Sequence, residues 1–328
     1  MRILNKQAIL DVYGHEDAIA DCLQAYSVIS DKKVISPVRS SLKTPNQTAL
    51  FMPAAIQENG NTDLAVKILS VVPENRSRGL PLIVGKVCLF DEVTGAMEAL
   101  LDGFIVTFLR TGAVAGASAK LLHPKPVENV VIFGCGAQGR AGLDSILYAH
   151  PEVNKVSCFD YHPEGAKRYA EEYQAKLQHI QFDCGSSVEA AVREADIIHC
   201  ASTSTTPLFE AEWVKDGAHI SAIGAYTLTM HELPKELFQR DNVRLFIDEI
   251  EAIREEAGDL MHAVETGFLK EEDMIELGKV PLGIAEGRQN DKQITVVKAV
   301  GVAAQDVVAS KTILRLAQEK NVGVEVDM

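Results

Sequence analysis

The stretch Val130-Val131-Ile132-Phe133-Gly134-Cys135-Gly136-Ala137-Gln138-Gly139 runs four apolar residues into a G-x-G-x-x-G spacing, and a helix-compatible segment, 140–147, follows at once. Glycines at 134 and 136 permit a tight turn and let backbone approach a pyrophosphate. Gly139 lets the helix lie against the strand, and Ala137 and Gln138 stand at a helix N-terminus whose N–H groups suit an anion. This is the pattern of a dinucleotide site, with the strand and the helix that the glycines require on either side. One step further, 155–159 reads as a second strand ending in Asp160, where a carboxylate is the usual acceptor for ribose hydroxyls. A carboxylate there favours NAD over NADP; the plainer reading is that Asp160 caps the helix beginning near Pro163. Ser202 and Thr203, after the apolar run 197–200, and Gly224, after 219–223, complete the expected cofactor crevice.

Cations supply the second set of candidates. Lys67 lies in the middle of a nearly continuous apolar strand, 64–72. A lysine so placed is costly unless it is paired or faces a polar cavity; otherwise it belongs to a strand edge with its head in water. Arg39 alternates with apolar neighbours in 34–42, and from spacing alone it reads as a surface charge. Arg110 and Thr111 fall near the expected start of a helix over 106–122. The helix dipole does not favour an arginine there, which hints at an anionic ligand, and both are candidate cofactor contacts.

Bulk properties narrow the partners. A formal charge of −14 argues against nucleic acid and anionic membranes, so an anionic substrate needs local Arg and Lys to hold it. No apolar run approaches the ~20 residues of a membrane helix, and the N-terminus lacks a signal-peptide layout. The six cysteines, at 22, 88, 135, 158, 184 and 200, are dispersed, as in a reduced cytoplasmic protein. The nine histidines show no ligand spacing, and no metal site is expected.

These residues need elements to carry them. Helical spacing is expected over 6–12 and 16–26, with Asn5 as a cap. Strands joined by short turns follow at 34–42, 49–55, 64–72, 82–90 and 97–101, which suggests an antiparallel sheet. His123-Pro124-Lys125-Pro126 breaks the 106–122 helix and is the expected domain boundary. Beyond it strands at 130–133, 155–159, 180–182, 197–200, 219–223 and 243–247 are separated by helices such as 164–178 and 188–194. That rhythm predicts an α/β fold: a Rossmann-type, doubly wound parallel sheet over 123–299, plus a smaller α+β substrate and dimerisation domain from 1–122 and 300–328. The tail from 293, with its long helix 302–318, is expected to find no pairing partner in the nucleotide domain and to cross back to the first.

Several motifs together resemble the ornithine cyclodeaminase/mu-crystallin family. They are Pro37-Val38-Arg39, Leu64-Ala65-Val66-Lys67, Pro73-Glu74-Asn75 with Gly79-Leu80-Pro81, Leu109-Arg110-Thr111-Gly112-Ala113, the glycine loop, Glu256-Ala257-Gly258-Asp259-Leu260, and Lys298-Ala299-Val300-Gly301 with Gln305-Asp306. The resemblance implies a homodimer, with Arg39, Lys67 and Arg110 gathered around a substrate carboxylate facing the nicotinamide of NAD(H) or NADP(H). Three such cations suit an amino or imino acid.

The family holds cyclodeaminases, alanine dehydrogenases, ketimine reductases and the non-catalytic binding protein mu-crystallin. Where cyclodeaminases carry a catalytic aspartate, this chain has Tyr226; a site threonine is replaced by Leu82 and a cofactor-contacting lysine by Met230. A less polar pocket with fewer acid/base groups suits a small cyclic imine with one carboxylate. The expected activity is therefore NAD(P)H-dependent reduction of Δ1-pyrroline-2-carboxylate to proline, extending to Δ1-piperideine-2-carboxylate, with Lys67 as the catalytic residue. Ornithine cyclodeamination is the alternative, followed by alanine dehydrogenation and ligand binding without catalysis.

Overall fold

A computed structural model describes every residue except Val38, Asn59, Pro124 and Met328, and except the side chain of Arg76. Val38 of the P-V-R motif and Pro124 of the expected boundary thus lie outside the described residues. The chain forms two compact units, one of Met1–Arg110 with Val302–Met328, the other of Thr111–Gly301.

The first unit opens with strand β1 (Arg2–Leu4), which the sequence pattern did not reveal, and helices α1 (Lys6–Leu10) and α2 (His15–Ser30). Asn5 caps α1 through the Ala8 N–H. The expected 34–42 strand is two pieces, β2 (Val34–Ile35) and β3 (Ser40–Lys43). Long strands β4 (Thr48–Glu58), β5 (Asn61–Val71), β6 (Ile83–Asp91) and β7 (Met97–Asp102) follow. β4 to β7 pair antiparallel as expected, while β1 joins β7 in parallel.

Register decides which face is buried. Met52, Lys67, Val87 and Leu101 stand opposite one another across four strands, as do Ala54, Ala65, Leu89 and Ala99, and all eight are buried. Phe51, Ile68 and Lys86 form the row adjoining that of Lys67 and point to the other face.

Helix α3 (Gly103–Leu122) begins earlier than its apolar spacing suggests. Asp102 Oδ1 accepts from the N–H groups of Phe104 and Ile105, so an aspartate cap sets the start. Arg110 is therefore two turns into the helix, not in its first turn, and the dipole reasoning for it lapses. The same helix is long and apolar enough to cross a membrane by length and composition, contrary to the reading of the sequence, but it is mostly buried in the protein. The first crossing between units falls within α3, after Arg110, whereas the sequence pattern places it in the 123–126 break.

The second unit contains β8 (Asn129–Phe133), α4 (Ala137–Ala149), β9 (Lys155–Phe159), α5 (Pro163–Lys176), β10 (Gln181–Asp183), α6 (Val188–Glu194), β11 (Ile197–Cys200), β12 (His219–Ala222), β13 (Val243–Ile247), α7 (Ile250–Glu256), α8 (Gly258–Glu265), β14 (Met274–Glu276) and β15 (Ile294–Lys298). Its sheet is parallel, in the order β10-β9-β8-β11-β12-β15-β13-β14. β15 corrects the expectation for the tail: it inserts between β12 and β13. All five of its residues are buried, Thr295 and Lys298 included, and a strand enclosed in this way takes a neighbour on each side. The chain then returns to the first unit as α9 (Ala303–Glu319), which packs on α2, β4 and β5, and ends in β16 (Val324–Glu325) beside β1.

Alternating residues of β8 serve the two faces of the parallel sheet. Val130 and Ile132 pack with Leu143, Ile146 and Tyr169, while Val131 and Phe133 pack with Ile198, Ile220 and Leu260. Among the described residues four histidines, His123, His150, His199 and His219, are buried in this unit. His199 lies in β11 with Nδ1 3.4 Å from Ser221 Oγ, and His219 sits between Ser118 Oγ at 3.0 Å and Thr295 Oγ1 at 2.9 Å. Burial pushes His199 down to about 4, and burial with the nearby Arg288 does the same to His123.

A histidine held neutral binds fewer protons folded than unfolded between pH ~6.5 and 4, so stability is lost as pH falls through that window. The expected contribution of His199 is a loss of ~2 kcal/mol on going from pH 7 to pH 5. In 15N spectra of the imidazoles, His199 should keep the neutral signature at pH 5. Titration at its ordinary value would contradict the packing described.

Candidate active site

Lys67 stands mid-strand in β5, between Met52 and Val87, and is 1% exposed. The strand-edge reading is thereby excluded. Its Nζ donates to Asp306 Oδ2 at 2.6 Å. Arg110 donates from Nε to Asp306 Oδ1 at 3.2 Å and from Nη1 to Gln305 Oε1 at 3.0 Å. One carboxylate on α9 thus serves two cations, one from a strand and one from α3. Gln305 Nε2 donates onward to the Tyr26 hydroxyl and to the Arg110 carbonyl, both at 3.4 Å, which fixes the amide that holds the guanidinium.

The charges act on one another strongly because little water screens them. Burial pushes the Lys67 ammonium down to about 8; Arg110 adds to that effect, Asp306 opposes it, and Arg39 pushes the same way. Burial favours protonation of Asp306, but Arg110 and Lys67 outweigh it and hold the carboxyl below its usual range. At neutral pH the group is an ammonium, a guanidinium and a carboxylate. Arg39, half-buried in the segment before β3, acts on Lys67 through space, so it is not the isolated surface charge that spacing suggested. Arg39, Lys67 and Arg110 are therefore brought together in one unit. Asp306 and Gln305, quoted in a motif but given no role from sequence, are what the cluster is built on.

The glycine loop lies in the other unit, at the point where strand order reverses between β8 and β11. Gly134 has φ +93°, and a Cβ on it would come 2.5 Å from the Ala201 carbonyl oxygen of the loop after β11. A Cβ on Gly136 would enter open space, and α4 starts beyond it with no side-chain cap on its N–H groups. Gly139 lies against the Gly134 carbonyl. Thr111 Oγ1 and Gln138 Oε1 are buried without a protein partner. An open cradle, an uncapped helix N-terminus and orphaned polar atoms fit a dinucleotide.

Asp160 is not a helix cap. Its Oδ2 accepts from the Cys135 N–H at 2.8 Å and its Oδ1 from the His162 N–H at 2.9 Å. Ser202 is half-buried and Thr203 exposed in the loop after β11; Gly224 is buried in the loop after β12, followed by exposed Tyr226. Among the described residues, no group of three or more His, Cys, Asp or Glu side chains is arranged to hold a metal ion.

The profile of the ornithine cyclodeaminase/mu-crystallin family matches residues 12–321. The chain belongs to that family. Within it, the chain is 34% identical over 330 residues to a Δ1-pyrroline-2-carboxylate reductase of Bacillus cereus, with all of both chains covered. It is similar to the structure of the Thermococcus litoralis Δ1-pyrroline-2-carboxylate reductase in complex with NADH and L-proline, at 30% identity and a TM-score of 0.90, covering 99% of this chain and 100% of that one. An archaeal alanine dehydrogenase dimer with bound NAD is 28% identical with a TM-score of 0.88, covering 100% of this chain and 99% of that one.

Replacing Asp306 by asparagine leaves two buried cations without their shared anion. The expected loss is ~3 kcal/mol of unfolding free energy, read by urea denaturation. The double variant Lys67→Met, Asp306→Asn should lose less than the sum of the two single variants; strict additivity would mean that the pair does not interact.

Proposed function

We propose that the protein is an NAD(H)-dependent imine reductase that converts Δ1-pyrroline-2-carboxylate to L-proline. The observation that carries this reading is the charge count of the Lys67 cluster: two guanidinium groups and an ammonium act together with one shared carboxylate, an excess of positive charge suited to a substrate carboxylate. Family membership and likeness to pyrroline-2-carboxylate reductases over whole chains support the same reaction.

In this reading Arg39 and Arg110 clamp the substrate carboxylate, and Lys67 Nζ hydrogen-bonds the imine nitrogen. NADH, when bound, supplies the hydride that the imine carbon accepts. Lys67 then provides the proton that the nitrogen gains as the C=N double bond becomes a single bond. An ammonium whose affinity for its proton has fallen to about 8 is poised for this at neutral pH. Asp306 keeps Lys67 fixed and stays ionised, so it does not compete for the proton. Gly134, Gly136, Ala137, Gln138, Gly139, Thr111, Ser202, Thr203 and Gly224 hold the dinucleotide.

Asp160 takes the adenosine ribose. Both of its oxygens are engaged by backbone N–H groups, so turning it aside for a 2′-phosphate costs two charge-assisted hydrogen bonds. That supports preference for NADH over NADPH.

A homodimer is part of the same proposal. The face of the first sheet away from α9 carries Leu42, Ile68 and Val84 at 59%, 41% and 47% exposure, an apolar surface fit for a second copy. Leu42 and Val84 both lie on the row of Ala49 and Ser70, next to that of Phe51 and Ile68. Val84→Glu should convert dimers to monomers in sedimentation velocity; a parent protein already monomeric at micromolar concentration rules the arrangement out.

Purified protein should oxidise NADH in the presence of Δ1-pyrroline-2-carboxylate and yield proline. No loss of NADH absorbance, together with proline formed from ornithine and NAD, would sink the reading in favour of cyclodeamination. Lys67→Ala should lower kcat by ~100-fold or more while NADH binding persists. The pH profile follows from the sign of the Lys67 shift. Below about 8 the ammonium is present, so kcat/KM should hold there and fall as pH rises through that value. A bound carboxylate stabilises the ammonium, so the corresponding limb of kcat should lie at higher pH.

A further inference from the structure

Beneath the loops that follow β11 and β12 lies a buried charged group to which the proposed reaction gives no role. Glu232 is 0% exposed. Its Oε1 accepts from the N–H and the hydroxyl of Ser202, at 2.7 and 2.9 Å. Its Oε2 accepts from the N–H groups of Gly224 and Ala225, at 2.8 and 3.0 Å. Each oxygen therefore belongs to a different loop, and the carboxyl group is the tie between them.

The loops meet closely at that tie. A Cβ on Gly224 would fall 2.5 Å from Glu232 Oε1 and nearer still to the Ser202 backbone. From the other side Lys298, fully buried at the end of β15, donates to the Ala225 carbonyl at 2.7 Å and pairs with Asp259 at 3.3 Å. Asp259 Oδ2 accepts from the Glu232 N–H at 3.4 Å. Burying three charged groups in this way is expensive unless each is satisfied by dipoles or counter-charge. A glutamine in place of Glu232 would turn an NH2 group toward backbone N–H donors, and no rotation of its amide serves both loops.

We propose that Glu232 is the positioning residue of the cofactor site: its carboxylate holds the 201–204 loop and the 223–226 loop in one fixed relation, with Lys298 and Asp259 securing the second loop from below. Glu232 is enclosed and does not touch the dinucleotide; it acts through Ser202 and Gly224. This rests on the reading of those two residues as cofactor contacts.

The test is NADH titration by fluorescence on the full-length parent and on Glu232→Gln, with thermal melting and steady-state kinetics alongside. The Kd for NADH should rise about tenfold or more and the KM for NADH with it, while the KM for the imino acid at saturating NADH stays within about twofold. A lowered Tm with an unchanged Kd, measured well below the melting range, would reduce Glu232 to a stabilising residue and overturn the inference. Should that variant fail to fold, Glu232→Asp carries the test. It keeps the charge but is one methylene too short to reach both loops, so Kd should rise about threefold, and an unchanged Kd again overturns the proposal. A parent protein that binds no NADH at all would instead overturn the reading on which the inference rests.

Discussion

The buried pair of Lys67 and Asp306 constrains the first unit more than any other contact. An ammonium enclosed in an apolar sheet is untenable without a counter-charge, and the counter-charge is supplied from 239 residues further along the chain. That requirement accounts for the discontinuity of the unit. Strand β5 cannot be buried on its inner face until α9 has returned, so the 191 residues of Thr111–Gly301 are an excursion that the first unit must wait for. Arg110 tightens the same knot, since its guanidinium donates to both the Asp306 carboxylate and the Gln305 amide oxygen.

Much of this is legible in the chain itself. The glycine loop, its strand and its helix, and the alternation of strands and helices over 129–247, depend on local spacing, and local spacing is what a sequence displays. Lys67 was legible as an anomaly for the same reason: a charge inside an apolar run announces a cost. Its partner was not, because no periodicity links residue 67 to residue 306.

Two further departures have local causes that were available. Asp102 is a good capping residue directly before Gly103, and it moves the start of α3 ahead of the apolar pattern, which changes the position of Arg110 in the helix. Ile294, Val296 and Val297 with the β-branched Thr295 between them carry the signature of an interior parallel strand, and with β14 this strand gives the sheet of the second unit two strands more than the alternating rhythm suggests.

Lys298 is also the clearest foil for Lys67. Both are lysines in apolar strands and both are almost wholly enclosed, yet their surroundings differ in sign. Burial weakens the hold of Lys67 on its proton, Arg110 and Arg39 add to that effect, and a single carboxylate opposes it. Lys298 instead meets the Asp259 carboxylate and the Ala225 carbonyl, and its charge opposes the upward push that burial exerts on Glu232 and Asp248. A lysine among cations can release a proton near neutral pH; a lysine among anions serves as the counter-ion that lets them stay buried. The sequence rule that flags a buried lysine cannot tell these two roles apart, because the distinguishing charges come from distant segments. The sign of the local field differs between them, which supports the proton chemistry proposed for Lys67 and the loop geometry proposed around Glu232.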